Sequence, residues 1–380
     1  MKKDDLLVKL EYLTLAGIVA AQVLGRDGLV SLLFSLTFVL TAVLWLRKAV
    51  RGVSVLEVLI LLASFVCVAV NGVLTGTDVT PSYFKKLIMF WMTVLLFGVL
   101  GEHRPDGEEV FFRTNTALAV FLAGMYGLDR EGMHLFNGQV SGYLTFRFEN
   151  PNLTGVFLAC VCMMEMIRAV RSQKGPGKAG HFLLALLMLK FTVETRSRNS
   201  MLMLAVFAAG SVLLWLFPKL RMTKPLAAVT ALLPLLFAVC YLLAVRWDWV
   251  HKWFAFLAGE GKNIDSRVNL WEFALGHFAS SPLVGAYSQI SFGTGLSQLH
   301  NTHLDVLASY GVLVFGLLWG FLGRILYRAR GGGLCLLAFV CVLLSGVGEG
   351  MLFSGGLGIY IYGGIFLMLA GGSDEDRLFE

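Results

Sequence analysis

The chain has 380 residues, 57% of them hydrophobic and only 15% charged, with a formal net charge of +6 and a mean hydropathy of +0.74. That is more apolar surface than a soluble core of this length buries, so composition excludes a soluble globular protein and predicts an integral membrane one. The basic residues are spread among short loops instead of forming a stripe with interleaved aromatics, which argues for lipid headgroups and against nucleic acid as their partner.

Apolar stretches approaching the ~20 residues that cross ~30 Å of hydrocarbon predict an all-α, polytopic fold with about twelve transmembrane helices. In chain order they run from Leu10 to Leu24, Gly28 to Leu46, Val53 to Leu74, Leu87 to Leu100, Val110 to Gly127 and Leu153 to Ile167. The second half continues with Phe182 to Val193, Ser200 to Phe217, Pro225 to Val245, His303 to Leu322, Cys335 to Met351 and Gly355 to Ala370. Met1-Lys2-Lys3-Asp4-Asp5 carries acidic residues and no small-residue cleavage site follows the first run, so that run reads as a retained helix and not a signal peptide. With a cytoplasmic amino terminus and simple alternation, the clusters Arg47/Lys48/Arg51, Arg168/Arg171/Lys174/Lys178, Lys219/Arg221/Lys224 and Arg324/Arg328/Arg330 all fall inside. The reading is therefore one transmembrane domain over residues 1–380 with both ends cytoplasmic and its functional face outward.

The two longest loops, Leu128 to Asn152 and Arg246 to Thr302, face outward on this reading. In the first, Asn150-Pro151 is an N-cap followed by Pro at the first helical position, and Arg147 stands just before it. The second, residues 246–302, opens with the headgroup-like cluster Arg246-Trp247-Asp248-Trp249-Val250-His251-Lys252-Trp253. Further on, Asp265-Ser266 caps an interfacial helix whose Val268, Trp271, Leu275 and Phe278 recur at helical spacing, and Ser281-Pro282 ends it. All six cysteines fall in apolar segments and read as small core residues, not metal ligands or disulfides.

Polar chemistry gathers where the long loop re-enters the membrane, at Leu299-His300-Asn301-Thr302-His303-Leu304-Asp305. Thr302 and Asp305 form a capping-box-like pair, which places His300 and Asn301 just before a helix amino terminus whose partial positive charge keeps an imidazole neutral and competent as a base. The bland alternative is an interfacial His that only bonds the loop. Arg196, Arg198 and Arg267 lie on the side where positive charge is sparse; each offers a planar, permanently charged fork for a phosphate or diphosphate, or else snorkels to lipid phosphate. Glu349, between Gly348 and Gly350, is an intramembrane carboxylate and hence a default functional candidate. Nucleotide P-loops, His-Glu-x-x-His zinc helices and serine nucleophile elbows are absent from the sequence.

The combination of His300-Asn301 and Gly311, preceded by Ser266-Arg267-x-x-Leu270-Trp271 and Pro282-Leu283-Val284-Gly285 and earlier by Thr195-x-Ser197-Arg198, resembles the O-antigen ligase and Wzy-type O-antigen polymerase superfamily over residues 182–322. One departure is Val314, where the ligase motif carries Gly, Thr or Tyr. The resemblance implies a metal-independent glycosyltransferase with no cofactor, moving a glycan from undecaprenyl diphosphate to an acceptor hydroxyl on a glycan, lipid or protein. It further implies a site on the outer face of the cytoplasmic (inner) membrane, where Arg198 and Arg267 hold the diphosphate and His300 is the base or orients the acceptor; Arg196 is a further diphosphate candidate, and Asn301, Asp305, Arg147 and Glu349 are candidate supports by their positions in the sequence. Two competing readings are a non-catalytic polysaccharide flippase, which predicts internal repeats and ionisable groups near the bilayer midplane, and a structural membrane protein, which leaves the Arg and His constellation unexplained.

Overall fold

The computed structural model describes residues 2–51, 55–78, 80–100, 105–136, 139–148, 150–172, 175–217, 222–250, 252, 265–288, 290, 299–328, 333–350 and 363–365. Within them the chain is almost wholly helical: α1 Lys2–Val23, α2 Asp27–Arg51, α3 Val55–Thr75, α4 Lys85–Leu100, α5 Pro105–Leu128 and α6 Pro151–Arg171, then α7 Gly175–Glu194, α8 Arg198–Leu216, α9 Lys224–Ala244, α10 Asp265–Ser280, α11 Thr302–Arg328 and α12 Gly333–Ser345. The strands described form one two-residue ribbon, Leu135–Phe136 against Gln139–Val140. Seven of the helices are long and apolar enough to cross a membrane, by length and composition. Large apolar side chains such as Leu32, Leu62, Leu183, Leu202, Trp215 and Leu243 are more than half exposed, a surface that lipid solvates and water does not. The chain is a multi-pass helical membrane protein.

A helix coincides with each of the first eleven predicted spans; of the twelfth, only residues 363–365 are described. Cysteine is reduced throughout, and Cys240 departs from the predicted core role by facing outward. Asn150 caps α6 as expected: its Oδ1 accepts from Asn152 N at 2.8 Å, and Pro151 needs no partner for an N–H it lacks.

Polar groups sort to the two ends of the bundle. At one end Arg171 reaches Glu108, Arg168 reaches Glu109, and Lys48 donates to Glu57 and to the carbonyl of Gly98. Buried Glu165 there accepts from Asn115 and Thr116 and sits 2.8 Å from the His181 ring. The opposite end holds the loop at 132–148, the α7–α8 corner, α10 and the start of α11, tied together by bonds such as Leu144 N to the Glu194 carbonyl at 3.1 Å.

The span predicted from His303 to Leu322 is not one straight helix. Gly311 has φ 81° and ψ 177°, which breaks α11 into two half-helices. Twelve residues of straight helix rise about 18 Å, yet the rings of His303 and Phe315 lie 5.9 Å apart, so the break is a sharp fold. Breaking the helix separates the Val312 N–H from the Ala308 carbonyl, which a continuous helix would pair. Both find a partner in the Pro282 to Ala286 segment: Val312 N donates to the Pro282 carbonyl at 2.9 Å, and Ala286 N donates to the Ala308 carbonyl at 2.8 Å. The segment thus wedges into the opened turn and satisfies the two backbone groups that the break separates. Asn71, buried in α3, holds the wedge in place, donating to the Gly285 carbonyl at 2.9 Å and accepting from Ser288 N at 2.8 Å and Ser288 Oγ at 2.7 Å.

Below the break, Lys86 at the start of α4 donates to Asp305 Oδ1 at 2.6 Å and to Ser309 Oγ at 3.2 Å, with Asp305 fully buried. Removing one partner of such a pair strands the other charge, at a cost of about 3–5 kcal/mol. Lys86→Met is therefore expected to lower the unfolding temperature in lipid nanodiscs. The double variant Lys86→Met/Asp305→Leu is expected to recover most of the loss; a double variant no better than the single would show that the charges are not a pair.

Candidate functional site

Four elements bring polar side chains together at the end of the bundle that holds the start of α11. His300 and Asn301 precede α11, Arg267 lies in the first turn of α10, Asn199 in the first turn of α8, and Glu349 in the turn after α12. His300 Nδ1 is 3.3 Å from Glu349 Oε2, and Arg267 Nη2 is 3.9 Å from Glu349 Oε1. Asn199 Nδ2 donates to the Ser345 carbonyl at 2.9 Å. A Cβ built on Gly348 would come 3.3 Å from Asn199 Nδ2 and 3.5 Å from Arg267 Nη1; glycine keeps the space between those two donors open.

Burial is graded across the group. Glu349 is 1% exposed, His300 30% and Arg267 45%, so the carboxylate is the floor, and the imidazole and guanidinium form its accessible rim. A carboxylate accepts, so the Nδ1 that faces it is the donor in this contact. His300 holds a left-handed backbone, φ 52°, which costs an L-residue free energy and persists where surrounding contacts over-determine it. Those contacts are visible next door: Asn301 Nδ2 donates to the Pro234 carbonyl at 2.9 Å, and Thr302 N donates to the Gly346 carbonyl at 2.9 Å.

The predicted capping box is not formed. The N-cap is Asn301, whose Oδ1 accepts from Leu304 N at 2.9 Å. The Thr302 hydroxyl instead donates to the Glu349 carbonyl at 3.0 Å, and Asp305 turns away to Lys86. Asp305 and Asn301 accordingly shape the α11 start and do not reach the His300–Glu349–Arg267 group. One further predicted support, Arg147, and one predicted diphosphate ligand, Arg196, have partners elsewhere. Arg147 (φ 63°) donates to Asp129 at 2.6 Å, and exposed Arg196 (φ 53°) lies over the Tyr143 ring, 5.5 Å from its centroid. Arg198 is exposed at the first residue of α8, beside Asn199. The side chains of Asp265 and Ser266 lie outside the described residues, as do residues 291–298 of the long loop 246–302.

Sequence reasoning missed Asn199, Lys86 and Asn71. The last had a legible signal: an Asn within a long apolar run has to bond something. Near Asn71 two buried phenols help lock the wedge: Tyr83 Oη lies 3.1 Å from Ser288 Oγ, and Tyr287 Oη donates to the Tyr83 carbonyl at 2.5 Å. Among the described residues no group of three or more His, Cys, Asp or Glu is placed to hold a metal ion. Comparison with known protein families and with curated proteins finds no match for the chain.

Proposed function

We propose that this protein is a membrane glycan transferase that moves an oligo- or polysaccharide from undecaprenyl diphosphate to an acceptor hydroxyl, working at the extracytoplasmic face of a cytoplasmic membrane it crosses about twelve times. The observation that carries this reading is that a guanidinium and an imidazole far apart in sequence meet at one buried carboxylate, Glu349. The end that carries them lies opposite the Arg168 and Arg171 cluster, and Lys/Arg clusters mark the cytoplasmic side.

In the reaction, an acceptor oxygen attacks the anomeric carbon and forms the new C–O bond. The bond from that carbon to the phosphate oxygen breaks, its electron pair leaves with undecaprenyl diphosphate, and the hydroxyl proton passes to His300 Nε2. Arg267, with Arg198, neutralises the leaving diphosphate. A diphosphate departs as a stable anion, so no protonated carboxylic acid of the glycosidase kind is required.

The test is reconstitution in lipid with an undecaprenyl-diphosphate oligosaccharide donor, scoring lengthened or transferred glycan and free carrier. Each charge-assisted contact is worth about 1.5–3 kcal/mol, so Arg267→Ala and Arg198→Ala are each expected to lower transfer roughly 10- to 100-fold. Movement of labelled donor across the bilayer with no change in glycan length would replace this reading with a carrier.

A further inference from the structure

We infer that Glu349 is a positioning residue that couples donor binding to activation of the base: Arg267 leaves it for the diphosphate, and the freed carboxylate then serves His300 alone. The inference rests on the transferase reading above and adds an order of events to it. Its basis is the sharing of one carboxylate between two partners, neither held closely. Among the described residues, buried Glu349 Oε1 has no hydrogen-bond donor; the Arg267 Nη2 opposite it is 3.9 Å away, an ion-pair distance beyond hydrogen-bond reach. Oε2 lies 3.3 Å from His300 Nδ1, longer than the 2.7–2.9 Å of a settled charge-assisted bond.

A buried carboxylate oxygen without a donor costs free energy, and this one persists next to a guanidinium that is nearly half exposed. Arg267 is therefore free to turn outward, and a diphosphate offers more charge and a better bidentate match than one strained carboxylate. Gly348 carries no side chain beside the guanidinium: a Cβ there would already touch Arg267 Nη1 at 3.5 Å. Among the described residues, the basic groups at ion-pair distance from Glu349 are the Arg267 guanidinium and the His300 imidazole. Once the first departs, the whole negative charge faces the imidazole. That fixes the Nδ1–H tautomer and makes Nε2 more basic, in the way a carboxylate behind a ligating or catalytic imidazole does. Before the donor binds, His300 is the weaker base, so its activation is timed to the arrival of the diphosphate.

The experiment uses full-length protein in nanodiscs with ¹⁵N-labelled histidine, with undecaprenyl diphosphate free of glycan as the probe. The His300 signals are assigned by their loss in His300→Gln. In the wild type, the probe is expected to shift the His300 nitrogens toward a firmer Nδ1–H bond. Arg267→Ala is expected to show that shifted state with no probe present, and Glu349→Gln is expected to show no shift while still perturbing the probe's ³¹P resonance. A probe that binds by ³¹P yet leaves His300 unmoved in the wild type, or moves it equally in Glu349→Gln, overturns the coupling and spares the transferase reading. A probe whose ³¹P signal no variant perturbs overturns the reading on which the coupling rests. Glu349→Gln is also expected to reduce turnover at least 10-fold with donor KM changed less than 3-fold, and Glu349→Asp to restore part of it; loss expressed in KM alone contradicts a role through the base.

Discussion

His300→Ala is expected to cut glycan transfer by about 10²- to 10⁴-fold, the usual worth of a positioned general base. The size follows from what the proposed mechanism asks of the imidazole: at the attack step the acceptor hydroxyl would lose its proton, and water is a far poorer acceptor than an imidazole held against a carboxylate. The loss should fall on turnover, because Arg267 and Arg198 remain to hold the diphosphate. The measurement is single-turnover transfer at saturating donor, next to donor binding. A variant with unchanged turnover would reduce His300 to a loop-bonding residue. A variant that loses donor binding as well would implicate His300 in the fold of the α11 start, whose left-handed φ of 52° makes that second outcome a real contest.

Gly311→Ala is expected to abolish the folded state, or lower its unfolding temperature more than any other substitution considered. At φ 81° and ψ 177° the residue sits in a backbone region open essentially to glycine alone. A Cβ there would lie 2.3 Å from the Leu283 carbonyl oxygen, where the obstacle is backbone and cannot rotate away. Relief would require expelling the Pro282 to Ala286 wedge, forfeiting the Val312 and Ala286 bonds at about 1–3 kcal/mol for each group left unsatisfied. Gly285→Ala, with its Cβ 2.4 Å from the Ser309 carbonyl oxygen, is expected to behave alike. Gly316→Ala is the control: its Cβ meets nothing within 4 Å and should be neutral or slightly stabilising. Monodispersity and thermal unfolding in detergent decide the matter, and a well-folded Gly311→Ala protein would show that the wedge is dispensable.

The helices were legible because a long apolar run in a chain of this composition has few alternatives to a helix, and eleven predicted spans meet one. The fold in α11 was not, because Gly311 stands in an apolar run where glycine is unremarkable for a membrane helix; what breaks the helix is a wedge contributed from residues 282–286. The predicted cap failed for a related reason. Thr302 and Asp305 have the right spacing, but each has a better partner distant in sequence, the Glu349 carbonyl for one and Lys86 for the other. Of the predicted site, His300, Arg267 and Glu349 meet, and Arg198 stands beside Asn199. Arg147 and Arg196 are engaged by Asp129 and Tyr143, contacts that charge and sidedness could not foretell.

The turn from Gly346 to Glu349 has a consequence for biogenesis. It supplies the carbonyls that receive Thr302 and the carboxylate that faces His300, and a ribosome makes it after every helix from α1 to α12. A nascent chain can thus thread its early helices into the bilayer while the pocket still lacks its floor, and competence arrives in a single late step.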